Sequence, residues 1–328
     1  MTKQPSSITR DDLARLDPQA RSALAALESA ARKELSDMTP AEVRAQSAMR
    51  PRDRGPDDIS TEDVTIRGPG DQAMALRFYY PVPQEGDSWL PALVYFHGGG
   101  FVSGSIEGSE GICRTLCAQA HCCVVSVAYR LAPEAKFPAA VLDAYTALSY
   151  VHENADEHRI DHYRIAVGGD SAGANLATVV ARQTRERRGP ELAFQLLFYP
   201  VTDLRALNTP SYEEFASGPY LTRADMEWHR DHYLPDEASR HDPSASPLAA
   251  KNLIGMPPAL VITAECDPLR DEGEAYAAAL RNAGTSVTVR RVSGQFHGFI
   301  AFFNQMDAAN IALVQASSEL KTHFSRRC

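Results

Sequence analysis

A chain of 328 residues with 44% hydrophobic and 23% charged residues can bury a large core, and its even mixture argues against a disordered or fibrous protein. The formal net charge is −9, with Lys and Arg dispersed among acidic residues, which argues against nucleic acid as a partner. The opening MTKQPSSITRDDLARLD has no signal-peptide core, no run approaches the roughly 18 apolar residues of a membrane span, and size excludes a small disulfide scaffold, so a cytoplasmic protein without membrane insertion is expected.

Residues 8–48 read as amphipathic helix, with Leu13, Leu16, Leu24, Leu27, Ala30, Leu35 and Val43 set among charges. Thr39-Pro40-Ala41-Glu42 has the form of a capping box with proline at the first helical position. The stretch PRDRGPDDIS then breaks the pattern, and residues 1–55 are expected to form the N-terminal helical part of a cap. Strands are predicted at 61–67 and 73–80 across the turn-rich Gly68-Pro69-Gly70-Asp71, then at 92–97, 122–129, 164–168, 193–198, 259–263 and 286–292 with mostly helical intervals. Their continuous apolar runs predict an α/β fold, a mostly parallel sheet covered by helices on both faces. The interval 201–251 is rich in turns and aromatics and predicts a second cap segment, leaving 56–200 and 252–328 as the catalytic domain. Cys122 and Cys123 should face opposite sides of one strand, and Cys113 and Cys117 one side of a helix, not a metal.

The sharpest local signal is Gly169-Asp170-Ser171-Ala172-Gly173, placed between a predicted strand and a helix beginning near Ala172. This is a nucleophile elbow: glycines flank a tight turn that lifts the Ser171 hydroxyl above the sheet. His97-Gly98-Gly99-Gly100 follows an earlier apolar strand, and its glycines allow main-chain N–H groups to approach a developing oxyanion. Gly98, Gly99 and Ala172 are the expected donors; His97 is expected to brace the loop, and Phe101 to edge the pocket. Asp267, at the end of the strand PALVITAE, is the expected acid, and His297, in a loop one strand later, the expected base. Asp271 and Glu272 are expected to serve the following helix or a surface contact. The other histidines sit mostly in polar contexts, and His229, His232, His241 and Asp242 match no metal-ligand spacing. Phe215, Tyr220 and Trp228 are candidate pocket linings.

With HGGG at 97–100, GDSAG at 169–173, DPLRDEG at 267–273 and HGF at 297–299, the chain resembles the bacterial hormone-sensitive-lipase-like family of esterases from about residue 60 onward. The resemblance implies an α/β-hydrolase fold with eight strands, one of them antiparallel, a helical cap, and hydrolysis of short to medium acyl esters without a cofactor. It matches Ser171, Asp267 and His297 to the family triad and Gly98, Gly99 and Ala172 to its oxyanion donors. It also implies a possible homodimer through an edge strand, here near 286–292. Ala174 departs from the family, which usually has glycine there. Amidase, lactonase or carbamate hydrolase activity by the same triad is the alternative, and a non-catalytic ligand-binding α/β-hydrolase a remote one.

Overall fold

The computed structural model describes residues 10–28, 33–50, 53–86 and 88–325. Residues 1–9 and Ala30, part of the expected leading helical segment, lie outside the described residues. Within that segment the helices are α1 (Arg10–Arg15), α2 (Pro18–Glu28) and α3 (Pro40–Ala48). The capping box forms as the sequence predicts: Glu42 N–H donates to Thr39 Oγ1 at 3.3 Å, and Thr39 N–H donates to the Glu42 carboxylate at 2.8 Å.

Eight strands make one sheet: β1 (Ser60–Arg67), β2 (Ala73–Tyr80), β3 (Leu90–Phe96), β4 (Cys123–Val127), β5 (Ile160–Asp170), β6 (Phe194–Phe198), β7 (Ala259–Cys266) and β8 (Val287–Phe296). Their order is β1-β2-β4-β3-β5-β6-β7-β8. β2 is antiparallel to both neighbours and the pairings from β4 to β8 are parallel, so one strand runs against the rest. The crossovers carry α4 (Ile106–Ala120), α5 (Ala139–Glu153), α6 (Ala172–Arg187) and α9 (Arg270–Asn282), and α10 (Asp307–Phe324) closes the chain. Between β6 and β7 stand α7 (Pro210–Glu214) and α8 (Arg223–Tyr233).

The central strands are apolar without alternation because both faces are covered. Val94, Phe96, Val125 and Val167 join the core beneath α5, α6 and α9, while Leu93, Tyr95, Val124 and Ala166 face the core shared with α4 and α10. Each of the Val, Leu and Phe side chains among them contributes about 1.5–3 kcal/mol when fully buried. Cys123 belongs to the first core and Cys122 to the second, as their adjacent positions predict; Cys113 and Cys117 are buried together in the second. A third, small cluster of Leu35, Met38 and Val43 packs on Trp228, joining the leading segment to α8.

Of the strands that run past their predicted bounds, β5 and β8 do so furthest. β5 begins at Ile160, because the polar Asp161-His162-Tyr163-Arg164 is carried into the sheet where Ile160 pairs with Leu90. β8 runs to Phe296, through Gly294 at φ +65°, whose N–H donates to the Glu265 carboxylate at 2.7 Å. The pairing with β7 shifts register between Ala264 and Cys266, which takes up the glycine and keeps the ladder going to the residue before His297.

Candidate active site

Parallel strands put their carboxyl ends along one rim of the sheet, where sites of open α/β folds form. Ser171 follows β5, Asp267 follows β7, His297 follows β8, and the His97–Gly100 loop follows β3. Three residues far apart in the chain therefore meet. His297 Nδ1 lies 2.8 Å from Asp267 Oδ2, and its Nε2 lies 2.9 Å from Ser171 Oγ. Asp267 has no exposed surface, and its Oδ1 accepts from the Leu269 N–H at 2.8 Å. A carboxylate can only accept, so Nδ1 carries the imidazole proton and Nε2 faces the serine as an acceptor.

Ser171 is held at φ 56°, ψ −116°, a strained conformation for a residue with a side chain. Its neighbours enforce it. A Cβ on Gly173 would lie 1.8 Å from the Phe96 carbonyl oxygen, and one on Gly169 2.4 Å from the same atom. The elbow thus fits between β3 and α6 only with hydrogen at both positions.

Asp170, inside the elbow motif, has a function that the sequence reading missed. Its Oδ1 accepts from the Tyr95 hydroxyl at 2.8 Å and from the Gly98 N–H at 2.9 Å, pinning the glycine loop to the nucleophile turn. Burial raises its pKa above the ordinary aspartate value, an effect that these two donors partly oppose. The bond corrects the expected set of oxyanion donors: the Gly98 N–H is already committed to the Asp170 carboxyl oxygen. Gly99 (φ +120°) and Gly100 (φ +61°) follow it, and neither their N–H groups nor that of Ala172 donate to a protein acceptor among the described residues. The sequence did hold a signal for Asp170, a charge in an otherwise apolar strand end.

His97 braces this loop, as its setting predicts. Its Nδ1 donates to the Gly98 carbonyl at 2.8 Å, its ring stacks on Tyr129 at 4.3 Å, and the Tyr129 hydroxyl donates to the His97 carbonyl at 2.7 Å. Burial lowers its pKa to about 4, so it stays neutral near pH 7. Tyr199, buried at the end of β6, packs its ring 4.7 Å from that of His297, a contact without a sequence motif.

Glu272 departs from the expected helix or surface role. It is 1% exposed, and its Oε1 accepts from the N–H groups of Thr202 (2.7 Å) and Asp203 (3.2 Å). It thereby ties the strap after β6, whose Val201 and Leu204 face the site, to α9. Asp271 Oδ2 accepts from the Ser211 N–H at 2.8 Å, at the start of α7.

Ser171 and His297 open into a cavity of about 430 Å³. Of the aromatic residues expected there, Phe101 and Tyr220 line it, and Phe101 stacks face to face on Tyr233 at 3.8 Å. Phe215 and Trp228 do not. Phe215 is fully buried beneath the guanidinium groups of Arg15 and Arg270, at 5.0 and 5.5 Å, and Trp228 packs on the Leu35 cluster and on His232. Their places are taken by Leu221, Met226 and His229 from the 201–251 interval and by Phe302 and Phe303 after β8. Spacing alone could not separate the aromatic residues that close the cap interior from those that face the cavity. Among the described residues no group of three or more His, Cys, Asp or Glu is arranged to hold a metal ion.

A family model described as alpha/beta hydrolase fold matches residues 93–301, which contain Ser171, Asp267, His297 and the His97–Gly100 loop. The chain belongs to that family. It is 42% identical over 274 residues to the carboxylic ester hydrolase LipN of Mycobacterium tuberculosis, covering 82% of this chain and 72% of that protein. It is 38% identical over 273 residues to an ethyl acetate hydrolase of Pseudomonas putida, covering 82% and 84%. An α/β-hydrolase enzyme from the metagenome of Lake Arreo, solved as a serine-to-alanine mutant, superposes with a TM-score of 0.90 at 36% identity, covering 95% of this chain and all of that one. In this α/β hydrolase no helix among the described residues is long and apolar enough to cross a membrane.

Proposed function

We propose that this α/β hydrolase is a carboxylesterase of the hormone-sensitive-lipase-like group, cleaving short to medium acyl esters with Ser171 as nucleophile, His297 as general base and acid, and Asp267 as its orienting carboxylate. The observation that carries the reading is the unbroken relay from Asp267 Oδ2 through His297 to Ser171 Oγ at 2.8 and 2.9 Å, opening into the cavity. Names of relatives such as the ester hydrolases above support the reaction class.

In the first half of the cycle Ser171 Oγ attacks the ester carbonyl as His297 Nε2 takes its proton. Asp267 stabilises the imidazolium and keeps its tautomer. Charge that develops on the carbonyl oxygen meets the N–H groups of Gly99, Gly100 and Ala172, with Asp170 holding the loop through Gly98. His297 then gives its proton to the departing alcohol, leaving an acyl-enzyme. Water deprotonated by His297 attacks the acyl carbon, and Ser171 leaves with the proton returned to it.

The same proposal makes residues 1–55 and 201–251 the two parts of a cap, which the packing of Leu35, Met38 and Val43 on Trp228 supports. It places the enzyme in the cytoplasm, in keeping with the described cysteines, which are buried and form no disulfide among the described residues. Pairing of two copies through β8, an edge of the sheet, belongs to it as well.

The test is hydrolysis of p-nitrophenyl acetate, butyrate, octanoate and palmitate by wild type and Ser171→Ala. Turnover on the shorter esters that falls by about 10⁴-fold or more in the variant is the expected result. Equal activity in both proteins would remove Ser171 from the mechanism. No turnover of any ester by the folded wild type would shift the reading to amides or lactones.

A further inference from the structure

The wall of the cavity is not apolar throughout. The end of α3 and the chain just beyond it bring Gln46, Ser47, Arg50 and Asp53 to one side. Arg50 Nη1 donates to the Tyr220 hydroxyl oxygen at 2.5 Å, and its guanidinium carbon lies 5.7 Å from the centre of that ring. Among the described residues no carboxylate pairs with it, whereas Arg44, Arg77, Arg114, Arg130 and Arg270 each hold one. Nor does its head cap α3, since it donates to Tyr220 and not to the last carbonyls of the helix. A guanidinium stays charged at any working pH, and its planar fork carries five N–H donors. A half-buried cation that lines a substrate cavity without a counter-ion is completed when the ligand supplies the anion.

We propose that Arg50 is a specificity residue that favours esters with a carboxylate remote from the scissile carbonyl, such as monoesters of dicarboxylic acids. The inference rests on the esterase reading above. Carboxylate geometry suits the fork, which can give two parallel N–H bonds to it. A doubly charged phosphate suits the cavity less well, because Asp53, whose Oδ2 has no hydrogen-bond partner, also lines it. Asp225, also in the wall, turns its carboxylate back to the Thr222 N–H at 3.0 Å, and Arg230 already pairs with Asp231.

The experiment is a pH-stat comparison of monoethyl and diethyl esters of glutaric, adipic and suberic acid with wild type, Arg50→Gln and Arg50→Lys. The quantity read is the ratio of kcat/KM for monoester over diester, which cancels any general loss in a variant. For at least one chain length the ratio is expected to fall about ten-fold or more in Arg50→Gln, to be partly kept in Arg50→Lys, and to fall with added salt in wild type only. A ratio in Arg50→Gln within about two-fold of wild type at all three lengths overturns the proposal, since a strut between α3 and Tyr220 would lower both rates together. Failure of wild type to hydrolyse any diethyl ester would instead count against the esterase reading itself.

Discussion

Replacing Asp170 by alanine tests whether the glycine loop is aligned from below. Its Oδ1 serves both the Tyr95 hydroxyl at 2.8 Å and the Gly98 N–H at 2.9 Å, so truncation strands two donors next to the core. Each unsatisfied donor costs about 1–3 kcal/mol, giving about 2–6 kcal/mol in all. Part of this is offset because a carboxylate that burial has raised in pKa no longer has to be held there. In the proposed mechanism the catalytic effect comes from Gly99 and Gly100, which follow Gly98 and lose their alignment when its tether goes. A lost oxyanion donor costs about 10²–10³ in kcat, and a misdirected pair of amides is expected to fall in that range with KM little changed. Asp170→Asn keeps an acceptor oxygen in place and should lose much less. The assay is kcat and KM for p-nitrophenyl butyrate, beside urea unfolding to separate inactive from unfolded protein. A folded Asp170→Ala enzyme with kcat within about three-fold of wild type would refute the tether.

Other outcomes follow from the same geometry. His97, with a folded pKa near 4 against an ordinary 6.5, binds fewer protons when folded than when unfolded between those values. Stability is therefore complete above about 6.5 and declines as pH falls toward 4, by on the order of 3 kcal/mol, and the slope in urea midpoint over that window should flatten in His97→Gln. Gly173→Ala would drive a methyl to 1.8 Å from the Phe96 carbonyl oxygen, a backbone atom that cannot rotate away. It should abolish soluble folded enzyme or lower its melting temperature by many degrees, and a melting temperature within a degree of wild type would contradict the packing. Ala174→Gly, one position on and inside α6, should cost only about 1 kcal/mol in urea unfolding and leave turnover of p-nitrophenyl butyrate measurable.

The motifs were legible because their chemistry is local. Gly169 and Gly173 sit where a side chain cannot, Thr39 and Glu42 complete a cap within one helical turn, and the strand ends carry Ser171, Asp267 and His297 at positions fixed by their own segments. Period and apolar run length likewise sufficed for the strand candidates and a mostly parallel α/β sheet, and the family resemblance for its eight strands. What the sequence could not supply were facts about partners distant along the chain. The Gly98 N–H is spent on Asp170, 72 positions away, and no pattern near Gly98 marks that bond. Glu272 looks like a helix-start acid until the strap at Thr202 and Asp203 is placed above it. Phe215 and Trp228 read like Phe101 and Tyr220, yet only the tertiary packing decides which aromatic rings face the cavity and which fill the cap, because burial depends on the neighbours that long-range folding brings. Local turn geometry and hydrophobic period are set by adjacent residues and can be read in order; the ownership of a hydrogen bond or of a cavity wall is settled only when strands β3, β5, β7 and β8 end side by side.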